Sequence, residues 1–176
     1  MTLPKPAIFL VTGAVIAAGM FFALFKNGYF HQAPLIFEPP YPELNADGDP
    51  ILAVFEGRTP CHLANCEKLK VGLVLYQHRE TQSPTTYWLG IIGASGNDRI
   101  VTQGTWTIRH GVKEYPDAAV WELDSNTPLD LRFYWHVNEN ILLLLDQSMS
   151  PKVGNAAWGF MLSRFAEPYG LRRYNR

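Results

Sequence analysis

The stretch LKVGLVLY, residues 69–76, decides the fold because its side chains alternate with a period of two. Leucine or valine at every second position places one continuous apolar row on one face, which is typical of a β-strand packed against a core. Short apolar runs of the same kind occur at 51–57, 85–92, 99–110, 118–123, 129–137, 141–146 and 158–164. No helical period separates these runs, so the sequence predicts an all-β meander of about eight strands.

Turn-forming residues separate the predicted strands. Examples are Ser83-Pro84, the segment 124–128 and Asn138-Glu-Asn140, where asparagine tolerates the left-handed conformations of tight hairpins. Closing the meander into an antiparallel barrel removes its exposed edges, so we expect a barrel. An open sandwich is the alternative.

The N-terminal segment 7–25 contains no charged side chain. A helix of that length would measure about 28 Å, close to the thickness of the hydrocarbon core of a bilayer. Lys5 and Lys26 flank it on either side. Residues 1–26 are therefore predicted to form one transmembrane helix that acts as a signal anchor, with the following chain exported. A cleaved signal peptide is the alternative, because small residues at 14–18 could form a processing site.

Residues 27–50 are predicted to be a linker, and 51–176 the β-barrel domain. The linker contains Pro34, Pro39, Pro40, Pro42 and Pro50 and has no sustained periodicity. Proline fixes φ and removes backbone donors, so this stretch should be extended and semi-stiff.

Composition and motifs argue against two classes of function. The net charge of −1 is far from the basic balance of a nucleic-acid-binding protein. The sequence has no nucleophile elbow, no glycine-rich phosphate loop and no HExxH motif. We therefore expect a protein that is not an enzyme and has no nucleic-acid partner.

The two cysteines, Cys61 and Cys66, lie in the connection between the first two predicted strands. In an oxidising compartment they could form a structural disulfide. Two other interpretations stay open: a reduced pair that binds a soft metal such as Cu(I), with His62 as a neighbouring ligand, or a thiol–disulfide redox pair. A structural zinc site would need four ligands, which this segment does not supply.

The five tryptophans fall in five different predicted strands. They can pack the core, or they can line an aromatic cavity that holds a small apolar ligand. These candidate cavity-lining residues are Trp88, Trp106, Trp121, Trp135 and Trp158.

Several motifs together resemble the N-terminal domain of the NlpE family of envelope lipoproteins. The first is the strand and turn Phe55-Glu-Gly57-Arg-Thr-Pro60-Cys61, followed by a second cysteine and an alternating strand. The second is Tyr87-Trp-Leu-Gly90, and the third is Gly104-Thr-Trp106-Thr-Ile108. The leucine-rich run 141–146, which ends in an acid, occupies the corresponding late position.

The resemblance implies a lipocalin-like barrel in the bacterial cell envelope, with a role in copper tolerance or the envelope-stress response. The expected partners are the membrane, through the N-terminal helix that the uncharged segment 7–25 predicts, and another envelope protein. The spacing Cys-x4-Cys differs from the family's Cys-x-x-Cys, and no cysteine stands just after the apolar run 7–25 to carry a lipid. We expect no resident cofactor, with copper as the one candidate. The alternatives are a lipocalin-like carrier of a small apolar ligand and a thiol–disulfide redox protein.

Overall fold

A computed structural model describes residues 41–61, 66–93 and 99–165 of the protein. The predicted signal anchor at 1–26, most of the predicted linker and His62 lie outside these residues. Within the described ranges, no helix has the length and apolarity needed to cross a membrane.

Eight antiparallel strands form a closed barrel in which each strand pairs with its neighbours in sequence, and the last pairs with the first. This confirms the predicted barrel over the open sandwich. The strands are β1 (Ile51–Pro60), β2 (Lys68–Gln77), β3 (Pro84–Ile92), β4 (Arg99–Val112), β5 (Tyr115–Leu123), β6 (Phe133–Asn138), β7 (Ile141–Leu144) and β8 (Met161–Arg164).

The barrel closes through a short seam between β1 and β8, where Phe55 pairs with Arg164 and Glu56 pairs with Ser163. Gly57 is the next residue of β1 after Glu56. A Cβ at this glycine would run into the Met161 carbonyl and the Leu162 side chain. The absence of a side chain at position 57 therefore lets the two strands approach closely enough to complete the barrel.

One predicted strand begins later than the sequence suggested. Residues Leu129–Leu131 form a turn of 3-10 helix, and β6 starts only at Phe133. The turn follows Pro128, whose missing N–H cannot enter a sheet ladder and whose carbonyl accepts a hydrogen bond from the Leu131 N–H. Leu131 is nevertheless buried, so its apolar character reflects the core and not a strand.

Side chains from all eight strands fill the barrel interior. Phe55 packs edge-on against Trp121, with 5.8 Å between ring centroids, and Trp106 lies 5.2 Å from Trp121. The larger fully buried members include Leu73, Leu75, Tyr87, Leu89, Leu123, Tyr134, Leu142 and Leu144. The described interior is a packed core, which the inward row of each strand's period-two pattern builds.

A second apolar layer covers the outside of β1, β2 and β3. We call residues 41–50 the strap, because they lie across this outer face before β1 begins. Tyr41, at 5% exposure, packs with Val54, Val74, Tyr76 and Trp88. The Tyr76 hydroxyl donates a 2.7 Å hydrogen bond to the Pro42 carbonyl. The last part of the predicted linker, 41–50, is therefore packed on the barrel.

Candidate functional site

The cysteine pair lies in the loop after β1. Cys61 and Cys66 form a disulfide with their Cα atoms 5.6 Å apart, as the structural interpretation predicted. The closed loop is short, so the bridge contributes only about 2 kcal/mol in the chain-entropy model. In this oxidised form neither sulfur is a thiolate, so binding of a soft metal by the pair would first require its reduction.

The surroundings of the loop are aromatic and basic. The Lys68 Nζ lies 4.8 Å from the centroid of the Trp158 ring, and the Cys66 Sγ lies 3.7 Å from the Lys68 carbonyl oxygen. Within the part of the chain that the structure describes, no group of three or more His, Cys, Asp or Glu side chains is arranged to hold a metal ion. His62, the third candidate ligand, lies outside the described residues.

The five tryptophans do not gather around one cavity. Trp106 and Trp121 belong to the interior core, and the indole N–H of Trp106 donates a 2.8 Å hydrogen bond to the Tyr76 carbonyl. Trp88 lies on the covered outer face. Trp135 stacks on Tyr115, with 5.1 Å between ring centroids, and packs against a separate apolar cluster that includes Phe133 of β6. Trp158 lies beside Lys68.

The described residues do form a cleft of about 330 Å³, and it lies between the strap and the outer face of β3 and β4. The strap contributes Pro42, Asn45 and Ala46 to one wall. The barrel contributes Tyr76, Thr86, Tyr87, Trp88 and the segment 103–105 to the other. Of the candidate tryptophans, Trp88 lines this cleft.

Asn45 fixes the strap wall. Its side-chain oxygen accepts hydrogen bonds from the backbone N–H groups of Asp47 and Asp49, which closes a tight turn. Its side-chain nitrogen donates to the Asp49 carboxylate at 3.0 Å and to the Thr86 hydroxyl at 2.9 Å. One amide therefore shapes the turn and ties it to β3. Gly48, with a φ of 83°, supplies the left-handed residue that this turn needs.

Asp124 fixes the barrel wall from the loop after β5. Its carboxylate accepts hydrogen bonds from the Thr105 N–H at 2.8 Å, the Asn126 N–H at 3.1 Å and the Tyr87 hydroxyl at 3.0 Å. Burial alone would raise the pKa of the Asp124 carboxyl, but these hydrogen bonds outweigh it and hold the pKa below its usual value. Asp124 is therefore ionised at neutral pH.

Tyr87 links this wall to the core. Its hydroxyl accepts a 2.7 Å hydrogen bond from the buried Thr127 hydroxyl while it donates to Asp124. Burial raises the pKa of Tyr87 to about 12, so the phenol stays protonated and remains a donor. A Cβ at Gly104 would collide with the Asp124 carboxylate, which explains a glycine at this point of β4.

The cleft has neutral walls. Among the described residues that line it, none carries a formal charge. Uncharged hydroxyl and amide groups come from Thr86, Gln103 and Thr105, whereas Pro42, Ala46 and Trp88 provide apolar surface. One cation lies at this face: the guanidinium carbon of Arg99 is 4.9 Å from the Trp88 ring centroid.

The sequence indicated the cysteine pair but not the cleft. The cysteine pair stood out by spacing alone. The cleft brings together residues from the strap, β2, β3 and β4, which are far apart in sequence. The one local clue was Asn45-Ala-Asp-Gly48, a turn pattern that fell inside the segment interpreted as a linker.

No family model matches the chain, and no curated protein or solved structure matches it.

Proposed function

We propose that the protein is a non-enzymatic component of the bacterial cell envelope, a lipocalin-like barrel of NlpE type with a role in copper tolerance or the envelope-stress response. One observation carries the proposal: the turn that resembles the NlpE family ends in a cysteine bridged to its neighbour, in the first hairpin loop of a closed eight-stranded barrel. The uncharged segment 7–25 supports a membrane tether with the barrel on the periplasmic side.

The disulfide suggests how such a protein would respond to its surroundings. A disulfide persists in an oxidising compartment, which agrees with export. A reduced pair would present two thiolates, which are the ligands that Cu(I) prefers. The reduced state would arise by thiol–disulfide exchange with a dithiol protein of the envelope, which supplies the two electrons and is itself oxidised to a disulfide. The loop would thus exist in an oxidised structural state and a reduced metal-binding state.

The second candidate function is that of a carrier of a small apolar ligand, and the barrel interior supports it less well than the envelope role. A carrier of this kind holds its ligand in the barrel interior. Here Phe55, Trp106 and Trp121 occupy that space together with the buried leucines and tyrosines. The packed interior favours the envelope role over the carrier role.

Cells that lack the chain provide the test. We expect them to grow more slowly under copper stress, and the full-length protein to restore growth. The double substitution Cys61→Ser and Cys66→Ser should fail to restore it. The matched control is Gly159→Ala, because a Cβ at Gly159 meets nothing within 4 Å. Normal copper tolerance without the chain, or full rescue by the cysteine variant, would remove the copper role.

The tether and the bridge are tested on the same cells. The full-length protein should stay in the membrane pellet after a carbonate wash. Alkylation without prior reduction should leave both cysteines unlabelled, as measured by mass. Release into the wash would contradict the anchor, and complete labelling would show that the pair is reduced in the envelope.

A further inference from the structure

The cleft between the strap and β3–β4 has the dimensions of a ligand site. Its volume of about 330 Å³ lies within the range of small-molecule pockets. It lies on the outer face of the barrel, since Trp88 and Tyr76 belong to the outer apolar cluster, and Tyr87 is the lining residue that also belongs to the interior core. Neither cysteine is among the described residues that line it, so the cleft can be tested separately from the cysteine loop.

Both walls of the cleft are held before a ligand arrives. Asn45 ties the strap to Thr86, and Asp124 ties Thr105 to the loop after β5. The Tyr76 hydroxyl holds the Pro42 carbonyl at the end of the strap. A site whose walls are fixed by hydrogen bonds loses little conformational entropy on binding.

The lining selects for an uncharged ligand. No lysine, arginine or histidine is among the described residues that form its walls, and the Arg99 guanidinium at this face lies over the Trp88 ring, so an anion would find no ion-pair partner among the lining residues. The ionised Asp124 carboxylate stands behind Gly104 and Thr105 and further disfavours an anion. No carboxylate belongs to the described lining either, so an ammonium group would not be paired within it.

The polar groups suit a ligand with hydroxyl and amide substituents. Gln103 is exposed on β4 and offers both an amide donor and an amide acceptor. The Thr86 hydroxyl accepts from Asn45 and can still donate its own proton. Pro42 and Ala46, which are both exposed, supply the apolar surface that the flat face of a sugar ring requires, whereas Trp88 is only 4% exposed and forms the floor of the cleft.

We propose that this cleft binds a neutral saccharide, one or two rings in size, between the strap and strands β3 and β4. The acetamido group of an N-acetylated sugar would pair with the Gln103 amide, and a ring face would rest on the apolar surface. Because Pro42, Asn45 and Ala46 form one wall, an occupied cleft would also hold the strap against the barrel.

The test uses the full-length chain in phospholipid nanodiscs, which avoids detergents with sugar head groups. The probe is N,N′-diacetylchitobiose, followed by isothermal titration and by ligand-observed saturation-transfer NMR. Its deacetylated, doubly cationic form and glucose 6-phosphate are the charged comparators. We expect the neutral disaccharide to bind at least about tenfold more tightly than either comparator, because each would bring an unpaired charge into the cleft.

Two variants and their matched controls locate the site. Ala46→Trp should fill the cleft and abolish binding, whereas Ala156→Trp, also at an exposed alanine, should leave it unchanged. Gln103→Ala should weaken binding about fivefold through one lost hydrogen bond, and Thr107→Ala on the same strand should not. Near-UV circular dichroism confirms that each variant is folded.

Three results would overturn the saccharide site. These are no detectable binding of the disaccharide at millimolar concentration, equal binding by a folded Ala46→Trp variant or by Gln103→Ala, and a preference for glucose 6-phosphate. Each of them leaves the copper and cysteine experiments untouched, so the two proposals fail separately.

Discussion

Strands β2 and β4 belong to the same barrel but face different surroundings. In β2, six consecutive residues, 71–76, are buried, so the strand is covered on both faces. In the longer β4, only Trp106 and Val112 are buried. Both strands supply inward residues to the core, so the difference lies on the outside, where Tyr41 of the strap covers the neighbourhood of β2.

The geometry of β4 adds to the contrast. Its first half pairs with β3 as far as Thr105, and its second half, from Trp106, pairs with β5. Ile108 faces inward by register, opposite Trp121, yet it is 48% exposed. The barrel thus has a doubly covered wall around β2 and an open wall around β4, and the cleft lies where the strap meets the open wall.

The largest expected effect is at the seam of the covered wall. Gly57→Ala would push a methyl group into the Met161 carbonyl and the Leu162 side chain, and both belong to the strand that closes the barrel. We expect a loss of about 3 kcal/mol in the free energy of unfolding, measured by urea denaturation. Gly159→Ala, where a Cβ has open space, should change stability by less than about 0.5 kcal/mol. Equal effects would show that the seam can relax.

A pair of valines measures the outer layer directly. Val74 on β2 and Val101 on β4 both point outward by register, but Val74 is 1% exposed and Val101 is 43% exposed. Val74→Ala should cost about 2 kcal/mol, because it removes buried methyl groups and leaves a cavity under the strap. Val101→Ala should cost less than about 0.5 kcal/mol. Similar losses at both positions would contradict the distinction between covered and open walls.

Most strand positions were predictable because most of the inward rows are apolar and turn residues separate the strands. The sequence also indicated β2 correctly as a strand, although the apolar residues Val74 and Tyr76 fall on its outward row. Those two residues indicate the second apolar layer, because a strand that is covered on both faces has a continuous run of apolar residues. The sequence could not show what covers them, because Tyr41 lies in a proline-containing segment that resembles a linker.

The cleft could not be predicted for a related reason. Its polar residues, Asn45, Thr86 and Gln103, are ordinary in isolation and meet only through the register of β3 with β4 and the path of the strap. The disulfide was predictable because its two partners are close in sequence and share one loop. Sequence spacing thus identified the disulfide, whereas the cleft arises from tertiary contacts between residues that are far apart in sequence.

Tyr87 tests the hydrogen-bonded connection between β3 and the loop after β5. Tyr87→Phe keeps the buried ring but removes the hydroxyl that donates to Asp124 and accepts from Thr127. The buried Thr127 hydroxyl would lose its acceptor, so we expect a loss of about 1.5 kcal/mol. Tyr115→Phe, at a tyrosine that is 53% exposed, is the matched control and should be nearly silent. If both variants have the same free energy of unfolding, the hydrogen bonds of Tyr87 do not stabilise the connection between β3 and the loop after β5.

The smallest expected effect is a loss of folding stability at acid pH, and it comes from His136 on β6. His136 on β6 stacks on Trp121, with 4.4 Å between ring centroids and an angle of 12° between the planes. Burial, and secondarily the positive charge of Arg164, lower the pKa of His136 in the folded protein. The unfolded chain then binds its proton more readily, so stability is full above the unfolded pKa of about 6.5 and falls as the pH drops below it.

His136→Gln should therefore flatten the decline of stability between neutral and mildly acidic pH, even if it lowers stability overall through the lost stacking. The measurement is urea denaturation at a series of pH values from about 7.5 to 5, compared between the variant and the unmodified chain. The contribution is small because the imidazole is only half-buried and solvent screens its charge. Parallel pH profiles would show that His136 does not titrate in this window, and a steeper profile in the variant would reverse the sign argued here. Because Trp121 is the ring beneath the histidine, its fluorescence should change with pH in the unmodified chain more than in the variant.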